Sequence, residues 1–284
     1  SYDRPYDTVT GAGQLFARDI AMIRFLERGG YPVTYTTDVG VDRDPAELTR
    51  ARIVLDLGHS EYWSQRAYDA YRTARDAGVN LAFFTSDTIA WRVRYAAASS
   101  ASSESTQPDH VIIAYKEHSA LDPNRSLPTG RFPDGGSSLT ATEYQNCITP
   151  RLAAGAGPPI YAYYAWSPSP ALEPAWLFRG TGFTAGASVP GIVGYELDRT
   201  VPGSRPGLAL VGAGRARCQS GVPYDDSQSI LYRARSGALV FSAGTMGWQL
   251  GLSPVPSSSP DAPRAADPRL VRLTENLLAR MLAP

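Results

Sequence analysis

The sequence predicts an α/β protein, three layers built around a mostly parallel sheet. Helix and strand signals alternate along roughly the first 115 residues. The segments 52–57 (RIVLDL) and 79–84 are short, nearly continuous apolar runs, the pattern of strands buried on both faces. Between them lies a helical period long enough for a right-handed crossover.

Taken in order, residues 1–6 supply the remnant of a first strand. Phe16, Ile20, Ile23 and Leu26 then form one apolar stripe of a helix over 12–28, which Gly29 and Gly30 terminate. Residues 31–37 are β-branched and aromatic and predict a strand. Asp44-Pro45 opens a short helix ending at Arg50. After strand 52–57, Ser64 is placed to cap a helix with the stripe Ala67, Tyr71, Ala74, and Gly78 ends it. Strands follow at 79–84 and 110–115, separated by a polar loop at 96–109. Residues 117–190 are dense in Pro, Gly, Ser and Tyr without helical period, and predict an irregular, β-rich insertion. Strands return at 191–195, 207–212, 229–233 and 238–242. After a loop at 254–267, Leu270, Leu273, Leu277, Leu278 and Met281 form a closing amphipathic helix.

Charge and composition exclude several functions. The 284 residues carry 27 basic and 27 acidic side chains, so no field favours a phosphate backbone, and nucleic acid is not an expected partner. No apolar run approaches the roughly 20 residues that span a bilayer. A composition of 43% apolar residues is that of a soluble globular chain. Lys116 is the single lysine among the basic residues, a bias we read as the codon composition of a GC-rich genome. Cys147 and Cys218 lack C-x-x-C spacing, which removes zinc-finger and redox-motif readings; they form a disulfide if the protein is exported, or two buried thiols if it is cytoplasmic.

The densest polar cluster is residues 58–64 (GHSEYWS), directly after strand 52–57. The carboxyl ends of strands are where open α/β sheets bind ligands. His59 and Glu61 therefore read as site residues, against the plainer reading of a capped helix start. A nucleophile elbow at Ser60 is disfavoured because Tyr62 occupies the place of the second glycine. Two further clusters, residues 3–6 and 194–198, place charged groups at the chain start and at a strand end.

Six segments in order, SYDRPY (1–6), LERGGYPVTYTTD (26–38), GHSEYWS (58–64), AFFTSDTIAWRVR (82–94), VGYELD (193–198) and FSAGTMGWQLGL (241–252), resemble the C-terminal region of the N,N-dimethylformamidase large (beta) subunit. The resemblance implies a flavodoxin-like, class I glutamine amidotransferase-like fold, taken as one domain over 1–284 with the insertion at about 117–190. It implies hydrolysis of a small linear amide by one iron ion (Fe3+) bound to two tyrosinates and a glutamate. Matched by motif, Glu61 and Tyr6 are the metal ligands, and His59 and Glu196 are the acid/base and supporting catalytic groups. The second tyrosine belongs to a family segment upstream of the RPY motif. Residues before Ser1, another domain, or Tyr62 would then complete the site, and the chain reads as a piece of a longer one. The rival expectation is a non-catalytic module of an exported protein.

Overall fold

A computed structural model describes residues 14–96, 111–152, 160–201, 203, 207–219, 223–255, 257 and 259–283. The strand read at 1–6 and nearly all of the 96–109 loop lie outside the described residues. The chain begins with a π-helical turn, Leu15–Asp19, that runs into α1 (Ile20–Arg28). Residues 31–37, expected as a strand, join no ladder; they lead to α2 (Asp38–Arg43) and a 3-10 turn, Pro45–Arg50. Next come β1 (Ile53–His59), β2 (Tyr62–Ser64), α3 (Gln65–Asp76), β3 (Asn80–Ser86), β4 (Trp91–Tyr95) and β5 (Ile112–Ile113). The middle of the chain holds α4 (Ser137–Thr140), β6 (Thr142–Ile148), β7 (Tyr164–Pro168), α5 (Ala175–Phe178), β8 (Val189–Val193) and β9 (Glu196–Thr200). It closes with β10 (Ala209–Arg217), β11 (Tyr224–Arg233), β12 (Leu239–Ser242) and α6 (Pro268–Leu282).

The expectation of a mostly parallel, flavodoxin-like or amidotransferase-like sheet is not met. The seven-stranded sheet runs β1-β3-β12-β11-β10-β7-β8. Only β1–β3 and β3–β12 pair in parallel; the remaining neighbours are antiparallel. The reason is chain length between strands. Five residues, 234–238, separate β11 from β12, and Ala234 donates to the Ala238 carbonyl at 2.8 Å. A parallel crossover needs about a dozen residues, so this connection can only reverse direction. Separate sheets, β2-β4-β5 and β6-β9, add to a β-rich architecture.

The α/β character is confined to the β1-α3-β3 unit and its neighbour β12. Along β3, Ala82 and Phe84 face a core with α1 and α6, while Leu81 and Phe83 face a second core with α3. The first core is the aromatic one: Trp248 packs its ring against Trp166, Phe84 and Phe241 at centroid distances of 5.3, 6.2 and 5.4 Å.

Ser64 caps α3 as its sequence position implies, its Oγ accepting from the Ala67 amide at 3.0 Å. Ser64→Ala removes the acceptor from a buried helix start and is expected to cost about 1 kcal/mol, read as a shift in a urea midpoint at unchanged slope. An unchanged midpoint would show that the cap does not stabilise α3.

Candidate active site

The site forms where the parallel strands end. In the β1–β3 register His59 lies opposite Ser86, so His59 and Asp87, the next residue of the chain, reach the same sheet edge. Glu61 follows on the short connection to β2. Gly58 has φ +76, and a Cβ there would overlap the Asp19 carboxylate, so glycine is required for His59 to turn into the site. The other wall is the β6–β9 ribbon. Glu196 and Asp198 are two apart on β9, hence on one face, and Tyr144 of β6 lies opposite Asp198.

The imidazole is the hub. His59 Nε2 is 2.9 Å from Glu196 Oε2, 3.4 Å from Glu61 Oε2 and 3.9 Å from Asp87 Oδ2. On the other side of the ring, Gln14 Nε2 and the Tyr195 hydroxyl lie 3.2 and 3.3 Å from Nδ1. The donor and acceptor roles at Nδ1 follow the protonation of the ring; when the ring is charged, Nδ1–H can donate to the Tyr195 oxygen while Nε2–H faces the carboxylates. Tyr195 is itself held in place by stacking on Tyr161 at 4.4 Å and by the Arg18 guanidinium 4.7 Å over its ring.

Asp198, fully buried, clamps the turn after β3. It accepts from the Asp87 amide at 2.7 Å and the Thr88 amide at 3.3 Å. Asp87 and Ile89 there have φ of +52 and +62, a region that a β-branched residue rarely enters and that surrounding bonds must hold. Facing Glu61 is Lys116: its Nζ is 3.7 Å from Glu61 Oε1 and 2.8 Å from the Tyr62 hydroxyl, and it sits over the Tyr62 and Trp91 rings.

These neighbours shape the titration of one another. Burial works against charge on His59, but the Asp87, Glu196 and Glu61 carboxylates outweigh it and raise its pKa to about 10. Burial raises Glu61, as does Asp87, while His59 and Lys116 oppose the rise. Asp87 is raised by burial and by Glu196, with His59 and Arg131 pulling it down. Burial, then the Asp87 charge, brings Asp198 to about 7, against the two amide hydrogen bonds. Burial first, then the charges of Glu196, Asp87, Asp198 and Glu61, push the Tyr144 phenol well above its ordinary range, so it stays a donor.

One ligand atom each from His59, Glu61 and Asp87 lie within 4.8 Å of one another, close enough to hold a metal ion. Moreover, Asp87 Oδ1 is buried with no hydrogen-bond partner, while His59 Nε2 and Glu196 Oε2 have each other at 2.9 Å. Buried polar atoms of this kind are costly unless something else pairs with them. One imidazole and two carboxylates form a nitrogen–oxygen donor set suited to first-row metals such as iron, manganese or zinc. The residues present therefore fit a cation.

Of the residues singled out from sequence, His59, Glu61 and Glu196 converge here, and Tyr6 lies outside the described residues. Ser60 is engaged structurally: its hydroxyl donates to Asp56 at 3.0 Å and accepts from the Trp63 indole at 3.0 Å. Asp87, Lys116, Tyr144 and Asp198 were not picked out individually. Asp87 had a signal, since it closes the strand read at 79–84 just as His59 closes the one before. Lys116 had another: it is the one lysine in an otherwise all-arginine basic set.

At these strand ends an imidazole–carboxylate pair thus lies beside a cluster able to hold a metal ion. The chain belongs to the N,N-dimethylformamidase beta subunit-like, C-terminal family, whose profile matches residues 1–262. No curated protein matches it.

Proposed function

We propose that this chain carries the hydrolytic site of an amidase acting on a small linear C–N amide. The observation that carries this reading is the 2.9 Å approach of His59 Nε2 to Glu196 Oε2 beside the His59-Glu61-Asp87 cluster. Hydrolysis must take a proton from water, add hydroxide to the carbonyl carbon and return a proton to the departing nitrogen. Glu196 is the base for the first transfer and His59 the carrier for the second, because both share one proton path and are shielded from bulk water. Tyr144 keeps its phenolic proton and donates to the carbonyl oxygen as negative charge develops there.

The cofactor we assign is iron, held by Glu61 and, following the family resemblance, Tyr6, with Asp87 adding a hard oxygen donor. When bound, such an ion polarises the carbonyl and makes water more acidic. Lys116 and Asp198 fix the orientation of Glu61 and Asp87 respectively.

The test is elemental analysis and visible absorption of the purified protein, alongside release of amine from simple formamides. Glu61→Ala is expected to lower metal affinity at least about tenfold, judged against the 10–100-fold losses seen for residues that merely support a ligand. Tyr6→Phe should weaken a tyrosinate-to-iron absorption band. Amide hydrolysis by an iron-free protein would refute the iron assignment. A folded, metal-loaded protein that releases no amine would favour a non-catalytic module.

A further inference from the structure

Arg131 stands outside the chemistry described so far. It is exposed, lies between β5 and α4 in a bridge to Trp91 of β4, and lays its guanidinium over the Trp91 ring at 4.6 Å. Trp91 ties it to the site, since its amide donates to the Glu61 carbonyl at 2.9 Å and Lys116 lies over the same ring. Arg131 also borders a cavity of about 220 Å³ whose other walls include Ala90, Phe132, Gly135, Glu143 and Tyr144. Tyr144, which lies opposite Asp198 in the β6–β9 ribbon, also lines this cavity and so joins it to the site wall.

Given the amide-hydrolase reading, on which this step rests, we infer that Arg131 anchors an anionic group of the substrate, and that the chain prefers amides bearing a carboxylate close to the scissile bond, such as N-acylated amino acids. Four carboxylates, Glu61, Asp87, Glu196 and Asp198, crowd the interior, so an anionic group cannot enter with the amide. It must stay at the rim. There, Lys116 is already committed to Glu61 and Tyr62. Among the described residues Arg131 forms no ion pair. Two acids, Asp134 and Glu143, share the cavity wall with it; Asp134 is satisfied by the Tyr68 hydroxyl and the Gly136 and Ser138 amides, and neither is ion-paired with Arg131. Stacking on Trp91 holds the guanidinium plane while its N–H edges remain available for a two-pronged carboxylate contact. The cavity is below the 300 Å³ at the low end for drug-sized ligands, which points to a small acid rather than a peptide.

N-Formylglycine and N-methylformamide test this, because each yields formate and an amine from the same kind of bond. The wild-type protein is expected to favour N-formylglycine in kcat/KM by roughly ten- to a hundredfold, the range of charge-assisted hydrogen bonds. Arg131→Gln should bring that ratio close to one, and Arg131→Lys should leave it between the two. Equal ratios in wild type and Arg131→Gln overturn the inference, as does a preference abolished by Lys116→Met but not by Arg131→Gln. Calorimetric titration with N-formylglycine separates this idea from the activity itself. Binding that depends on Arg131 without turnover would retain the anchor and refute the hydrolase; binding indifferent to Arg131 would refute the anchor.

Discussion

Glu196→Gln is expected to lower the turnover of a small amide by about 10²–10⁴-fold, with a much smaller change in KM. Glutamine keeps the size of the side chain and its place on β9, so the packing of a residue only 6% exposed is preserved. The main-chain contact is preserved too, since Ser86 Oγ donates to the Glu196 carbonyl at 2.6 Å. What disappears is the negative charge 2.9 Å from His59 Nε2. Without it, the proposed base for water is gone, while substrate contacts at Tyr144 and Arg131 remain. The measurement is steady-state amine release together with metal content. Unchanged kcat would sink the assignment of Glu196 as base. Loss of metal in step with activity would make Glu196 a ligand and leave His59 alone to move protons.

The site was more legible in the sequence than the fold around it. Gly58-His59 after a buried strand is a local pattern, and a strand that ends in a tight polar turn presents its side chains at a sheet edge whatever the distant strands do. Glu196 was found by motif. Its convergence with His59 depends on a ribbon, β6–β9, that pairs strands about 50 residues apart, and no local periodicity encodes such a pairing. Asp198 stood in the same cluster without an assigned role, and Tyr144 was missed, for the same reason. The fold error has a different origin. The apolar run at 238–242 looks like a parallel strand, and β12 is indeed parallel to β3. The antiparallel half announced itself only through short connections, such as 234–238, which carry more topological information than the strands they join. At residues 31–37, β-branched residues suggested a ladder, but propensity describes what suits a pleated surface and does not provide a partner strand.

Replacing both Cys147 and Cys218 with alanine is expected to destabilise the fold by about 4 kcal/mol, the chain-entropy value for a closed loop of this length. The two residues are bonded in the structure with a sequence separation of 71. The loop that the bond closes runs from β6 through β10, so its loss enlarges the unfolded ensemble more than a short staple would. Both sulfurs lie in the Trp166 core, and alanine leaves a void there, which adds to the cost. Applied to the thermal midpoint, this corresponds to a drop of roughly 10 °C for a chain of this size. Reductant should produce a similar shift in the wild-type protein and none in the double variant. A change below about 1 kcal/mol would show that the unfolded chain is already compact in this region. The same bond bears on function. β6 pairs with β9 in a two-stranded sheet, an arrangement that is marginal unless something anchors it. Cys147 and the Gln219 amide, which donates to the Ile148 carbonyl at 2.8 Å, tie β6 to the end of β10. Cutting the bond should therefore loosen Tyr144, and with it Glu196 and Asp198, before the seven-stranded sheet melts. Turnover in the double variant is expected to fall at temperatures where its circular dichroism is still that of the folded state.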